Sequence, residues 1–278
     1  MPNPVIHPRD PLPLIRDKAL WMRRRAFRMV YEAQLGHPGG DFSVIDAMAT
    51  LYFGVLRFDP AAPNWPDRDR FIMSKGHATG ALYTVLQAAG YYPESWLDTY
   101  MQPQSMLNGH PNRTYVPGVE TNTGPLGHGL PVAVGIAIAG QIAGSAYRSY
   151  VITGDGELQE GSNWESAALA GHRTLANLTL IVDRNRLQQG AGTEDTITMD
   201  PLDDRFRAFG WQVEIIDGHD HAALFRVLAA PVGNRSKPLC VIANTVKGKG
   251  VSFMEHKAAW HHGVPNAEQF ALAMKELV

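Results

Sequence analysis

The chain has 278 residues, room for one large domain or two small ones at about 150 residues per domain. Hydrophobic residues make up 45% and charged residues 19%, which excludes wholesale disorder. Lys plus Arg number 25 against 27 Asp plus Glu, and this near balance argues against a general nucleic-acid binder. The one cysteine, Cys240, rules out an internal disulfide and fits a reducing, cytoplasmic compartment. It lies in an apolar run, where a buried inert thiol is expected. The segment Gly129 to Gly144 is apolar but interrupted by four glycines and Gln141, too short for a bilayer, and no signal core precedes it. No membrane role is expected.

Residues 1–10 hold three prolines and read as an N-terminal tail. Leu14 to Gln34 carries helical spacing, and its Arg23-Arg24-Arg25 with Arg28 is expected on a solvated or partner-facing edge. Gly36-His37-Pro38-Gly39-Gly40 breaks that helix, and Ser43 is positioned to cap a second one running to about Val55. Phe71 to Met73 predicts a short strand and Ala78 to Ala89 a helix. Residues 101–126 are rich in Pro, Gly and Asn, a long irregular stretch of the kind that carries function. Leu130 to Ala143 reads as a buried helix.

The second half alternates. Strands are predicted at Tyr150–Thr153, Leu178–Val182, Val213–Ile216 and Leu239–Thr245. Helices fall at Leu158–His172, Leu202–Phe209 and His221–Leu228. Such alternation, with near-continuous apolar strands, predicts parallel βαβ units. The expected architecture is α/β: a doubly wound, mostly parallel sheet with helices on both faces, preceded by N-terminal helices, in a single domain over 11–278.

Of eleven histidines, seven adjoin a glycine: His37, His77, His110, His128, His172, His219 and His262. Glycine permits tight turns and close backbone approach, so histidine-bearing loops around a polar small molecule are expected. His172 reads as a helix-end residue, and His219 and His221 as surface residues at a helix start. In open α/β sheets, ligands sit beyond the carboxyl ends of strands. Gly154-Asp155-Gly156-Glu157 follows one predicted strand, and Asp183-Arg184-Asn185 the next. If those strands are parallel neighbours, Asp155 and Asn185 emerge on one edge. A carboxylate, an amide oxygen and a backbone carbonyl are hard donors that, with diphosphate oxygens and water, suit octahedral Mg²⁺. A helix starting near Glu157 would add N–H groups and a favourable dipole for phosphate.

The ordered set of segments is specific. Gly154 to Gly161, Glu165, Ala170-Gly171-His172 and Asp183-Arg184-Asn185 resemble the thiamine diphosphate motif of transketolases. Matching segments run from Gly36-His37-Pro38-Gly39-Gly40 and Ser74-Lys75-Gly76-His77-Ala78 through Asn108-Gly109-His110-Pro111 and Thr123-Gly124-Pro125-Leu126-Gly127-His128-Gly129. They continue to Thr245 to Gly250 and Trp260-His261-His262-Gly263. The chain resembles the free-standing N-terminal subunit of split transketolases.

That resemblance implies thiamine diphosphate with Mg²⁺, for which Ca²⁺ or Mn²⁺ can substitute. It implies metal ligation by Asp155, Asn185 and the Leu187 carbonyl. Diphosphate would fall to the backbone at Gly156 and Glu157 and to His77, with Asn185 and His261 also facing the cofactor. Gly124, Pro125 and Leu126 would approach its aminopyrimidine side, and Glu160 would sit at a subunit interface. His37, His77, His110 and His261 would face substrate. Trp260-His261-His262-Gly263 departs from the family's Trp-His-Gly: alignment on Trp260 favours His261, adjacency to glycine His262, and His261 is preferred. His128 replaces a common glutamine and either meets ligand or starts a helix. Lys247 and Lys249 either meet phosphate or form a basic loop.

The implied reaction is transfer of a two-carbon ketol unit from a ketose to an aldose. The pyrimidine-binding domain and its activating glutamate have no counterpart here. The resemblance therefore implies a C-terminal partner subunit carrying both, in a heterotetramer. Two other readings remain open: another thiamine diphosphate enzyme component (2-oxoacid dehydrogenase or deoxyxylulose-phosphate synthase-like), and a non-catalytic metal-nucleotide binding subunit.

Overall fold

The protein is described by a computed structural model covering residues 2–278, the Asn234 side chain excepted. Five strands form one parallel sheet: β1 (Arg70–Met73), β2 (Ser149–Gly154), β3 (Leu178–Arg184), β4 (Gln212–Asp217) and β5 (Leu239–Asn244). Their spatial order is β1-β2-β3-β5-β4. The predicted strands are all present, with ends shifted by at most two residues. Central strands β2, β3 and β5 are buried almost throughout, as apolar runs covered on both faces must be.

Around the sheet lie α1 (Leu12–Ala33), α2 (Pro38–Thr50), α3 (Thr79–Ala88), α4 (Gly129–Ala143), α5 (Gly161–His172), the single turn α6 (Thr193–Thr196), α7 (Leu202–Ala208), α8 (His221–Leu228) and α9 (Ala267–Glu276). The strand alternation splits the apolar side chains into two cores. Tyr150, Ile152, Ile181 and Val241 point into the larger one, with Phe27, Phe42, Ile45, Leu86 and Leu224 from α1, α2, α3 and α8. Val151, Leu180, Val182 and Cys240 point into the other, with Val134, Ala167 and Phe206 from α4, α5 and α7. Helices on both faces make this the expected doubly wound sheet.

Several local expectations are corrected. Helix α2 begins at Pro38, whose fixed φ suits a first-turn position, so Ser43 lies inside the helix rather than capping it. Ser43 Oγ instead donates to Asp183 Oδ2 at 2.7 Å. α4 is not wholly buried: Val132, Gly135, Ala139 and Ile142 are exposed on its outer side. In the basic stretch of α1, Arg28 is exposed as expected, but Arg23, Arg24 and Arg25 do not form a solvated edge. Arg23 is buried on Asp46, Arg25 pairs with Asp98, and Arg24 donates to the Met274 carbonyl at 3.2 Å and to that of Leu277. Buried guanidinium groups require such partners. Helix α9, unanticipated, opens with a capping box between Asn266 and Gln269.

Candidate active site

β2 and β3 pair in parallel with Gly154 opposite Asp183, so their carboxyl ends deliver Asp155 and Asn185 side by side. β1 delivers Ser74-Lys75, and β5 leads into the turn carrying Lys247. Between these ends opens a cleft of about 470 Å³. Its wall includes His37, His77, His110, Gly124, Leu126, Asp155, Gly156, Glu157, Asn185, Leu187, Lys247, His261 and His262. Of the residues expected at the site, Pro125 alone does not line it. Pro125 lies in a bend and is exposed, between Gly124 and Leu126, which face the cleft.

Asp155 is 2% exposed and held by donors on both oxygens. Oδ1 accepts from the Gly156 amide at 2.9 Å, and Oδ2 from the Arg186 amide at 2.7 Å and Arg184 Nη1 at 3.0 Å. Burial and the adjacent Asp183 carboxylate raise its pKa, against the pull of Arg184. Asn185 Nδ2 donates to Asp183 Oδ2 at 3.1 Å, which fixes the orientation of the amide. Its Oδ1 accepts from the Leu187 amide at 3.1 Å and keeps a second lone pair for a cation. Asp155, Asn185 and Leu187 all line the cleft, where carboxylate, amide and backbone oxygens are available, and a carboxyl with a raised pKa is one a cation would stabilise. The set fits Mg²⁺.

The floor is built for close approach. A Cβ on Gly156 would lie 2.9 Å from Gln188 Oε1, itself buried without a partner. Gly124 has φ +154°, and a Cβ there would meet His110 Cδ2 at 3.0 Å. The phosphate-helix expectation is corrected: only a 3₁₀ turn occupies Gly156–Gln159, and α5 starts at Gly161. The Glu157 side chain explains the delay. Its buried carboxylate accepts from the Gly154 and Gly127 amides at 3.0 Å and from Ser74 Oγ, tying three loops together.

Two buried lysines face the cleft. Lys75 Nζ bonds Asp183 Oδ2 at 2.5 Å and the Gly40 carbonyl at 2.9 Å. Lys247 has no carboxylate partner among the described residues; its Nζ meets His261 Nδ1 at 3.2 Å. Burial and then Lys75 depress its pKa from 10.5 to about 8. Lys249, by contrast, lies 4.0 Å from Glu255 and outside the cleft wall.

The imidazoles form one cluster. His37 Nε2 lies 3.1 Å from His262 Nε2, and the His37–His77 and His77–His261 ring centroids are each 5.1 Å apart. Burial, followed by neighbouring imidazoles and the two lysines, lowers His37 to about 3. Burial and then Lys247 do the same for His261, and burial and then Lys75 take His77 well down. All three are neutral at physiological pH. His261 and His262 both line the cleft, His261 being the more buried. Nitrogens of His37, His261 and His262 lie within 4.8 Å of one another. With both ammonium groups acting on the same rings, the field there favours an anionic or hydroxylic ligand over a cation.

Sequence reasoning passed over Lys75, Asp183 and Arg184, although all three stand inside the motifs. The signal was a charge adjoining a strand that must be buried, where it needs a partner. His128 starts α4 and is exposed, and His172 ends α5. Among the described residues no helix is long and apolar enough to cross a membrane.

The family described as the transketolase thiamine diphosphate binding domain matches residues 16–277. An apulose-4-phosphate transketolase subunit of Actinobacillus succinogenes is 49% identical over 242 residues, covering 87% of each chain. A 6-deoxy-6-sulfo-D-fructose transketolase subunit of a Clostridium species is 38% identical over 95% of this chain and 96% of its own. The crystal structure of Campylobacter jejuni transketolase superposes with a TM-score of 0.90 and 32% identity over 95% of this chain, which spans 43% of that longer chain. The chain belongs to the transketolase family, matches its thiamine diphosphate binding domain over residues 16–277, and is similar to proteins named as transketolase subunits.

Proposed function

We propose that this chain supplies the diphosphate and metal half of a two-subunit transketolase that moves a two-carbon ketol unit from a ketose phosphate, or a related acidic sugar, to an aldose. The observation that carries the reading is the convergence, in one cleft, of oxygen donors on Asp155, Asn185 and Leu187, a buried lysine with no carboxylate partner among the described residues, and a cluster of imidazoles around it. Asp155, Asn185 and the Leu187 carbonyl hold Mg²⁺, with Ca²⁺ or Mn²⁺ able to replace it. The Gly156 and Glu157 backbone, His77 and Lys247 receive the diphosphate, and Gly124 and Leu126 approach the aminopyrimidine side. Thiamine diphosphate, when bound, supplies the electron sink for cleaving the carbon–carbon bond beside the ketose carbonyl.

The protein's part is orientation and proton traffic. Lys247 Nζ donates to His261 Nδ1, so the neutral His261 carries its proton on Nε2 and can donate it to a sugar oxygen. His37 and His77, uncharged, can hydrogen-bond sugar hydroxyls as donors or acceptors without bringing a buried positive charge. His110, exposed at the mouth, meets the outer part of the substrate. The acidic sugars in the names of two relatives, an apulose phosphate and a sulfofructose, favour an acidic sugar here as well.

A C-terminal partner completes the enzyme by bringing the pyrimidine-binding domain and the activating glutamate, two copies of each chain forming a heterotetramer in the cytoplasm. The exposed apolar side of α4, with Gly135 and Ala139 leaving room for close approach and Leu169 of α5 beside it, supports such docking. The test is calorimetric titration with thiamine diphosphate and Mg²⁺, against ATP and Mg²⁺, followed by ketol-transfer assays with and without the partner. Preferential binding of thiamine diphosphate and activity only in the pair are expected. Preference for ATP, or robust transfer by this chain alone, would refute the reading.

A further inference from the structure

Away from the cleft, the turn from β4 into α8 holds a buried polar cluster that the proposed chemistry does not use. Asp46, near the end of α2, accepts four donors. Arg23 Nη1 and His221 Nε2 meet Oδ1 at 3.0 and 2.8 Å, and Arg23 Nη2 and His219 Nδ1 meet Oδ2 at 2.5 and 2.7 Å. The side chains of Asp46 and His219 are 4% and 11% exposed, so His219 and His221 are not the surface residues their position suggested. Asp46 would be raised by burial, but Arg23 and the two imidazoles hold it well below the usual carboxylate range. It is therefore an ionised, fully engaged acceptor.

The other nitrogen of His219 reaches the active site. The Val246 amide donates to His219 Nε2 at 2.8 Å. A ring nitrogen that accepts from an amide carries no proton, so the His219 proton sits on Nδ1, toward Asp46. The carboxylate thus fixes both the tautomer and the plane of the ring. Val246 immediately precedes Lys247, and on the other side the Gly248 amide donates to the Gly39 carbonyl at 3.0 Å. The lysine backbone is clamped between α2 and His219. Gly218 makes the approach possible, because a Cβ there would collide with the Thr245 methyl group.

We propose that His219, oriented by Asp46, is a positioning residue that sets Lys247 in the cleft and thereby tunes diphosphate affinity. The inference rests on the reading that Lys247 meets the diphosphate. Its mechanical half, the hold of His219 on the loop, stands on geometry alone.

Hydrogen exchange on the full chain tests the hold. In His219→Ala the amides of residues 245–247 should exchange about tenfold faster, with β5 unchanged, as expected for loss of one neutral hydrogen bond. His219→Gln, whose amide can accept from Val246 and donate to Asp46, should restore protection. Calorimetric affinity for thiamine diphosphate with Mg²⁺ tests the consequence, using wild type, His219→Ala, Lys247→Met and the double variant. His219→Ala should bind about tenfold more weakly, yet add nothing to the loss already caused by Lys247→Met. A general structural role would make the two losses multiply, and that result, or unchanged exchange in His219→Ala, overturns the proposal. If Lys247→Met alone binds as wild type does, the assignment of the lysine to the diphosphate is what fails, and the exchange data still decide whether His219 holds the loop.

Discussion

Lys247 offers the sharpest quantitative test of the site. Its pKa is depressed from 10.5 to about 8 because burial and Lys75 disfavour the ammonium. Keeping it charged at pH 7 costs the free chain about 3 kcal/mol. The sign follows: a folded pKa below the unfolded one means the penalty is fully present below pH 8 and fades as pH rises toward 10.5. Lys247→Met should therefore stabilise the ligand-free chain, by at most about 3 kcal/mol, while removing a charge-assisted hydrogen bond to the diphosphate. That loss should weaken cofactor binding by about 10- to 100-fold. Because the diphosphate raises the lysine pKa, wild-type binding near pH 8 should take up roughly half a proton, seen by calorimetry in buffers of different ionisation enthalpy. Affinity should fall as pH rises through 8. Absence of proton uptake at pH 8 in wild type, or its persistence in Lys247→Met, would refute the reasoning.

Asp155→Asn keeps an oxygen toward the Arg186 amide but removes the metal-facing charge, so Mg²⁺-dependent cofactor affinity should drop at least about 100-fold in calorimetry; unchanged affinity would sink the metal corner. His261→Asn should lower turnover far more than cofactor affinity in the reconstituted enzyme, and equal losses in both would contradict its substrate-facing role. Gly76→Ala would put a Cβ 2.6 Å from the Thr123 backbone and should cost about 1–3 kcal/mol in denaturant unfolding. Glu157→Ala abandons the Gly127 and Gly154 amides and should cost about 2–4 kcal/mol, with loss of thiamine diphosphate binding as the loops part.

How much was legible in the sequence follows from which forces are local. Apolar runs of the right length between glycine-rich turns marked the five strands and most helices, because period and turn chemistry are properties of a few consecutive residues. Helix α9 was missed because its capping box, Asn266 with Gln269, precedes a helix with only Ala273 buried. The early start of α2 at Pro38 was missed because Ser43 looked like a cap, whereas in the fold its hydroxyl bonds Asp183, 140 residues away. The same kind of separation in sequence hid the partners of Arg23 and Lys75.

The sequence by itself determined the sheet, the corner where Asp155 and Asn185 emerge, and the family whose motifs surround them, since each rests on short segments in fixed order. Only the tertiary structure decided that His262 joins the four expected histidines on one wall, that Lys247 is a buried cation without a carboxylate partner among the described residues, and that His219 reaches from Asp46 to the loop beside it. Those facts depend on burial and on contacts between distant segments, and a charge or an imidazole takes its chemical character from the groups that folding packs against it.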